Sequence, residues 1–194
     1  NFDMRKQILK FDDILNDQRK IIYQNRKEIL STNDQSIIIQ DMISDYVNYI
    51  IDLSIPPKKY SHEWDGNLLK EKIKEIFSID IPVPKWFEEE GVDEEEIKKR
   101  LLDQVNQKYK EKQYQYSAEL LKFAEKRVML FQIDKDWRDH LAAMDSLRGS
   151  VNLRAMGGKD PFYEYKKESF DYFDEMLSNQ NERVLKTLFN IKLV

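Results

Sequence analysis

The 194-residue chain contains no cysteine. Within these residues that excludes disulfides and thiolate zinc sites, and it fits a reducing compartment. Glycine and proline are scarce, five of each. So few breakers suit a helical protein with short links better than a turn-rich β architecture. No apolar run reaches the roughly 18 residues needed to span a bilayer. No secretory leader is visible, and the chain opens at Asn1 rather than Met, so the expectation is a stretch of a longer protein. Positive charge is not in excess either: 32 Lys and Arg face 36 Asp and Glu, for a net charge of −4. That balance argues against a general nucleic-acid binder. What is present is 41% hydrophobic and 12% aromatic residues. This is too much for a disordered chain and enough for one or two small domains with a core.

The apolar residues recur at helical spacing. From about Asp3 to Leu30, Ile8, Phe11, Leu15, Ile22 and Ile29 make a narrow stripe, with Ile14 and Ile21 beside it. A long helix packed along several neighbours reads this way. Ser31-Thr32-Asn33-Asp34 interrupts, and Asn33 or Asp34 is a suitable cap for a second helix. That helix carries Ile39, Met42, Ile43, Tyr46, Val47 and Ile50 on one face and stops before Pro56-Pro57, where two amide donors are lost.

Residues from about 57 to 115 read as a separate lobe. Leu68, Leu69, Ile73, Ile76 and Phe77 mark a short helix, and Ile79 to Pro84 is expected to be extended by its prolines. Trp86 and Phe87 offer apolar surface for a small core. Asp93 with Glu96 predicts a capping box, opening a helix through Ile97, Leu101, Val105 and Tyr109. The last third predicts two long helices. One runs from near Ser117 to near Leu153, with a stripe of Leu120, Ala124, Val128, Phe131, Trp137, Leu141, Met144 and Val151, flanked by Ile133 and Leu147. The other starts near Pro161 behind Asp160, a good cap with proline at the first helical position. Its face is Tyr165, Phe173, Met176, Leu177, Val184 and Leu188. A short Gly-containing link between them predicts an antiparallel helical hairpin. The fold class is therefore all-α: long scaffold helices, a small helical lobe and a long two-helix hairpin.

Gly158-Lys159 raises the question of a phosphate loop. Such a loop needs glycine five residues earlier and Ser or Thr after the lysine. Those positions hold Leu153 and Asp160, and no strand precedes them. The glycines instead suit a turn with positive φ between two helices. Asp136 and His140 stand four apart, near Asp134 and Asp139, a spacing that can present two metal ligands. Acids and a lone histidine on a charged helix are more often solvated or ion-paired, so no metal site and no catalytic residue is assigned. Around the link, Arg148, Arg154, Lys159, Lys166 and Lys167 are opposed by Asp160, Glu164 and Glu168. That pattern fits a solvated hairpin end or a tip made to meet a partner, with flexible Met156 as the apolar contact.

Two long stretches carry a resemblance. "NFDMRKQILKFDDILNDQRKIIYQNRKEIL" resembles the start of the helical scaffold domain of the SecA family of preprotein translocase ATPases. "IDKDWRDHLAAMDSLRGSVNLRAMGGKDPFYEYKKESFDYFDEML" resembles that family's two-helix finger, and a wing lobe around "EWDGNLL" and "IPVPKWF" lies between them. The resemblance implies scaffold over 1–56, helical wing over 57–116, and scaffold continuation with two-helix finger over 117–194. It implies a protein-transport role in which the scaffold links the motor domains. Arg154, Ala155, Met156, Gly157, Gly158 and Lys159 would form the finger tip that meets preprotein at the SecYEG channel. Arg5 would contact the motor. The other implied partners are the protein's own motor and preprotein-binding domains, with acidic phospholipids as a further candidate. ATP and Mg would belong to the full-length ATPase, since the motor half is not in this stretch. The implied location is the bacterial cytoplasm and the cytoplasmic face of the inner membrane. The family's tip often reads Arg-Gly-Tyr-Ala-Gln-Lys-Asp-Pro, so Met156 stands at the usual tyrosine position, and the wing is shortened around Gly66. The alternative is a helical docking module that mainly restrains an ATPase. An RNA-binding tail is a weaker reading, disfavoured by the acidic charge.

Overall fold

The computed structural model covers residues 1–194 and describes all of them except the side chain of Ser61. The regular secondary structure of the described residues is all helical, without a strand. In chain order the helices are α1 (Phe2–Ser31), α2 (Ser36–Ser54), α3 (Gly66–Phe77), α4 (Val83–Glu88), α5 (Glu94–Gln115), α6 (Ala118–Arg154) and α7 (Pro161–Asn190). Two 3₁₀ turns lie at Ser61–Glu63 and Ala155–Gly157. Contacts divide the chain into two compact units: Asn1–Thr32 with Met129–Gln180, and Asn33–Val128 with Asn181–Val194.

In the first unit, side-chain partnerships give the helix directions. Asp12 pairs with Arg148 at 3.3 Å and Arg26 with Asp134 at 3.0 Å, so α1 runs antiparallel to α6. Gln180 donates to Asp136 at 3.2 Å, and Phe173 meets His140 with ring centroids 5.4 Å apart. Arg154 reaches Glu164 at 3.4 Å, so α6 and α7 are antiparallel as well. Phe11, Met144, Leu147, Val151 and Tyr165 form a buried cluster, with Ile14, Leu15 and Phe162 packed against it. Phe11 stands edge-on to Tyr165 at 5.0 Å, a geometry that adds to area burial.

In the second unit, α2 packs on α3 and α5, and α3 on α4. Ile39, Ile43, Val47 and Ile50 of α2 are fully buried, as are Leu69, Ile73, Ile76 and Phe77 of α3 and Ile97, Leu101 and Val105 of α5. Each such side chain contributes about 1.5–3 kcal/mol relative to exposure. Phe189 closes the cluster edge-on to Phe77 at 4.8 Å and tilted against Tyr109 at 5.2 Å. The Tyr109 hydroxyl bonds the Glu125 carboxylate. Burial, followed by the nearby Asp34 charge, raises the Glu125 pKa despite that bond.

Several local expectations shift. Asp34 bonds the Ser36 amide at 3.0 Å, but the residue at the helix boundary is Gln35. Asp93 accepts the Glu96 N–H at 2.9 Å, whereas the Glu96 side chain accepts from Arg100 at 3.0 Å instead of completing the box. Asp65, unremarked in the sequence, caps α3 by accepting the Leu68 N–H at 2.9 Å. Val83 and Pro84 are not extended; they open α4, because proline is tolerated where a helix's first amides have no partner. Ile8, Leu120 and Phe131 leave the predicted stripes and are exposed. Leu121 is buried in place of Leu120, a one-residue phase error that a 3.6-residue period allows.

Gly66, the first residue of α3, sits under α4. A Cβ there would lie 3.1 Å from Phe87 Cδ2 and 3.2 Å from the Pro84 Cα. The Pro84 backbone cannot swing aside as a side-chain end can. Gly66→Ala is expected to destabilise the chain by about 1–3 kcal/mol, read as a lower urea midpoint with unchanged slope.

Candidate functional site

The link between α6 and α7 is closed by its own backbone. After Arg154 the chain makes one 3₁₀ turn and reaches Gly158 at φ 84°, ψ 8°. The Gly158 N–H donates to the Ala155 carbonyl at 3.1 Å and the Lys159 N–H to the Arg154 carbonyl at 3.4 Å. These two bonds are a Schellman closure, which places a left-handed residue at this point and so favours glycine. Asp160 then accepts the Phe162 N–H at 3.3 Å, and Pro161 begins α7. Every residue from 155 to 160 is exposed, and Met156 is 88% exposed.

Both exits of this loop are held. On the α6 side, Arg154 bonds Glu168, meets Glu164 at 3.4 Å and donates to Ser150 Oγ at 3.3 Å. The hydrogen bond to Glu168, then the charges of Glu168 and Glu164, raise the Arg154 pKa further. On the α7 side, Phe162 stands edge-on to Phe11 at 5.6 Å, with the Lys10 ammonium 5.6 Å from its ring centre. Gln7, Lys10, Phe11, Asn152, Asp160, Pro161 and Phe162 line a pocket of about 180 Å³ at this base. Arg5 is exposed on α1, two residues ahead of Gln7.

Further along the same unit lies a buried polar layer. The Gln18 amide donates to the Ser169 carbonyl at 3.2 Å, and Gln18 Oε1 lies 2.6 Å from His140 Nε2. With the amide nitrogen committed to Ser169, Oε1 must accept, so His140 carries its proton on Nε2. The imidazole stacks on Trp137 at 5.5 Å. One helical turn away, Asp136 accepts from Gln132 at 2.8 Å and from Gln180 at 3.2 Å. The Asp136–His140 pair considered for metal ligation is thus engaged by amides. Among the described residues no group of three or more His, Cys, Asp or Glu side chains is placed to hold a metal.

Helices laid side by side around a polar layer and ending in an exposed, internally closed loop define a helical scaffold that presents a tip. A family model described as the SecA Wing and Scaffold domain matches residues 1–192. Over all 194 of its residues the chain is 38% identical to the protein translocase subunit SecA of Bartonella tribocorum (strain CIP 105476 / IBS 506). The match takes in 21% of that relative, so the chain spans about a fifth of the length of the curated relative. The chain belongs to the SecA wing and scaffold family. The part matched is wing and scaffold, not the nucleotide-binding motor domain.

The six expected tip residues form one continuous surface, except that the Arg154 side chain turns back onto α7 and is 33% exposed. The polar layer went unremarked in the sequence. Its signal was there: Gln18 stands at stripe spacing between Phe11 and Ile22, and Gln132, Asp136 and His140 recur every four residues on the buried face.

Burial lowers the His140 pKa below its ordinary 6.5. The folded chain therefore binds this proton less readily than the unfolded chain. The His140 contribution is intact above pH 6.5 and is lost as pH falls below that value toward the folded pKa. His140→Gln keeps a donor for Gln18 without titrating. Denaturant midpoints of the parent are expected to fall from pH 7.5 to 5.5, and those of the variant to lose this part of the decline.

Proposed function

We propose that this chain is the scaffold, wing and finger portion of a SecA-type, ATP-driven protein translocation motor. In this reading residues 1–56 and the continuation within 117–194 form the scaffold that links the motor domains, and 57–116 form the wing. The loop Ala155–Lys159 is the part that meets a polypeptide at the SecYEG channel. ATP and Mg are bound by the motor elsewhere in the longer protein, and the assembly works in the bacterial cytoplasm and at the cytoplasmic face of the inner membrane. Acidic phospholipids are a candidate partner there.

The observation that carries this reading is the tip itself. Met156 is 88% exposed at the apex of a loop whose backbone is closed and whose two exits are anchored. An unbranched thioether gives a soft apolar contact that adapts to varied sequence without needing a phenol. Polypeptides in transit present such variety, so methionine at the usual tyrosine position is compatible with the role.

A second reading, that the module mainly restrains an ATPase, is favoured by a different feature. Phe2, Met4 and Leu9 are 79%, 65% and 60% exposed around Arg5 on the first turns of α1. That is apolar surface of a kind suited to cover by the protein's own motor.

A photoreactive residue in place of Met156, in the full-length protein with a secretory polypeptide stalled in the channel, separates the two. ATP-dependent crosslinks to polypeptide and channel are expected. Crosslinks confined to the protein's own motor would contradict the finger reading and leave restraint as the role.

A further inference from the structure

We propose that Arg154 is a positioning residue rather than a polypeptide contact: it clamps the base of the tip loop to α7 and so fixes how Met156 is presented. This inference rests on the tip reading above for its functional meaning, and on geometry for its substance.

Arg154 is the last residue of α6, immediately before the exposed loop. Its two terminal nitrogens both address Glu168: Nη1 bonds one carboxylate oxygen, and Nη2 lies 3.3 Å from the other. Nη1 also reaches Glu164 at 3.4 Å, and Nη2 reaches Ser150 at 3.3 Å. Glu164 and Glu168 stand four apart on one face of α7, where two carboxylates repel each other unless a cation lies between them. A planar guanidinium addresses both oxygens of one carboxylate and still meets a second carboxylate. A lysine ammonium, a point charge on a flexible stem, lacks that fork. Both terminal nitrogens are committed to this network, which leaves only the Nε–H for any contact with a passing polypeptide. Met156 and Lys159 carry no such commitment; both are exposed on the loop.

The other exit is fixed independently, by Phe162 against Phe11 under Lys10. With both ends held, the loop has one base geometry and Met156 one approach direction. Without Arg154, Glu164 and Glu168 repel, the last turn of α6 frays, and the tip spends less time in a productive orientation.

The test uses the full-length protein in two versions, one with a photoreactive residue at position 156 and one with a genetically encoded nitroxide there. Each carries Arg154→Glu, Glu168→Arg, the two combined, Arg154→Lys, or the milder Glu168→Gln in case a charge reversal prevents folding. Each single reversal is expected to increase nitroxide mobility and to lower crosslinking to a stalled polypeptide by about fivefold, as loss of a partly exposed ion-pair network suggests. The combined reversal is expected to restore both to within about twofold, and Arg154→Lys to fall in between. Unchanged nitroxide mobility in the single variants, Glu168→Gln included, would overturn the clamp. Restored immobility without restored crosslinking in the combined variant would show that Arg154 meets the polypeptide through its own charge, which also overturns the proposal. If the parent protein gives no polypeptide crosslink, the tip reading fails, and the nitroxide measurements still decide whether the clamp exists.

Discussion

Gln18 is 7% exposed and uses both ends of its amide at once, donating to the Ser169 carbonyl on α7 and accepting from His140 on α6. An apolar residue there would pack as well in several axial positions. A buried amide with two obligatory partners does not tolerate sliding, because a shift of one turn leaves donor and acceptor unpaired, at about 1–3 kcal/mol each. The layer is continued by Asp136, held between Gln132 and Gln180. Hydrophobic burial drives the three helices together, and this polar layer sets the register in which they meet.

Register matters because the tip is built from the far ends of the same helices. The Phe11, Met144, Leu147, Val151 and Tyr165 cluster lies between the polar layer and the loop. If α1, α6 and α7 hold their positions at Gln18, Phe11 arrives under Phe162 and Arg154 arrives opposite Glu164 and Glu168. The Schellman closure at Gly158 then needs only a short loop. An exposed loop is kept in shape by ordinary packing and pairing one or two turns behind it.

The sequence made the helices legible because their apolar residues keep a 3.6-residue period: the faces Ile39 to Ile50, Ile97 to Tyr109 and Tyr165 to Leu188 fall inside as expected, with Met42 and Leu177 half-buried. The turn at Gly157-Gly158 was legible from the failure of its surroundings to fit a phosphate loop. Family membership was legible from two long segments, and the family comparison agrees over residues 1–192. Side-chain pairing across helices was not. Arg154, Glu164 and Glu168 could be noted as neighbouring charges, but which ones meet depends on the axial offset of α6 against α7, which no local pattern encodes. Gln18 went unremarked, and Asp136 and His140 were weighed only as metal ligands or solvated groups, for a related reason. Polar residues on charged helices read as solvated until a partner helix is known to cover them. Pro84 misled at the start of α4 because proline forbids a helix interior but not a helix start.

The most direct test of the register claim is a double-mutant cycle on Gln18 and His140. Urea unfolding would be measured at pH 7.5 for Gln18→Ala, His140→Ala and the pair. If the amide and the imidazole hold α1 against α6, the two losses are not additive, and the coupling is about 1 kcal/mol or more. Losses that add to within about 0.3 kcal/mol would mean the two residues act independently. The register of the first unit would then have to come from apolar packing alone.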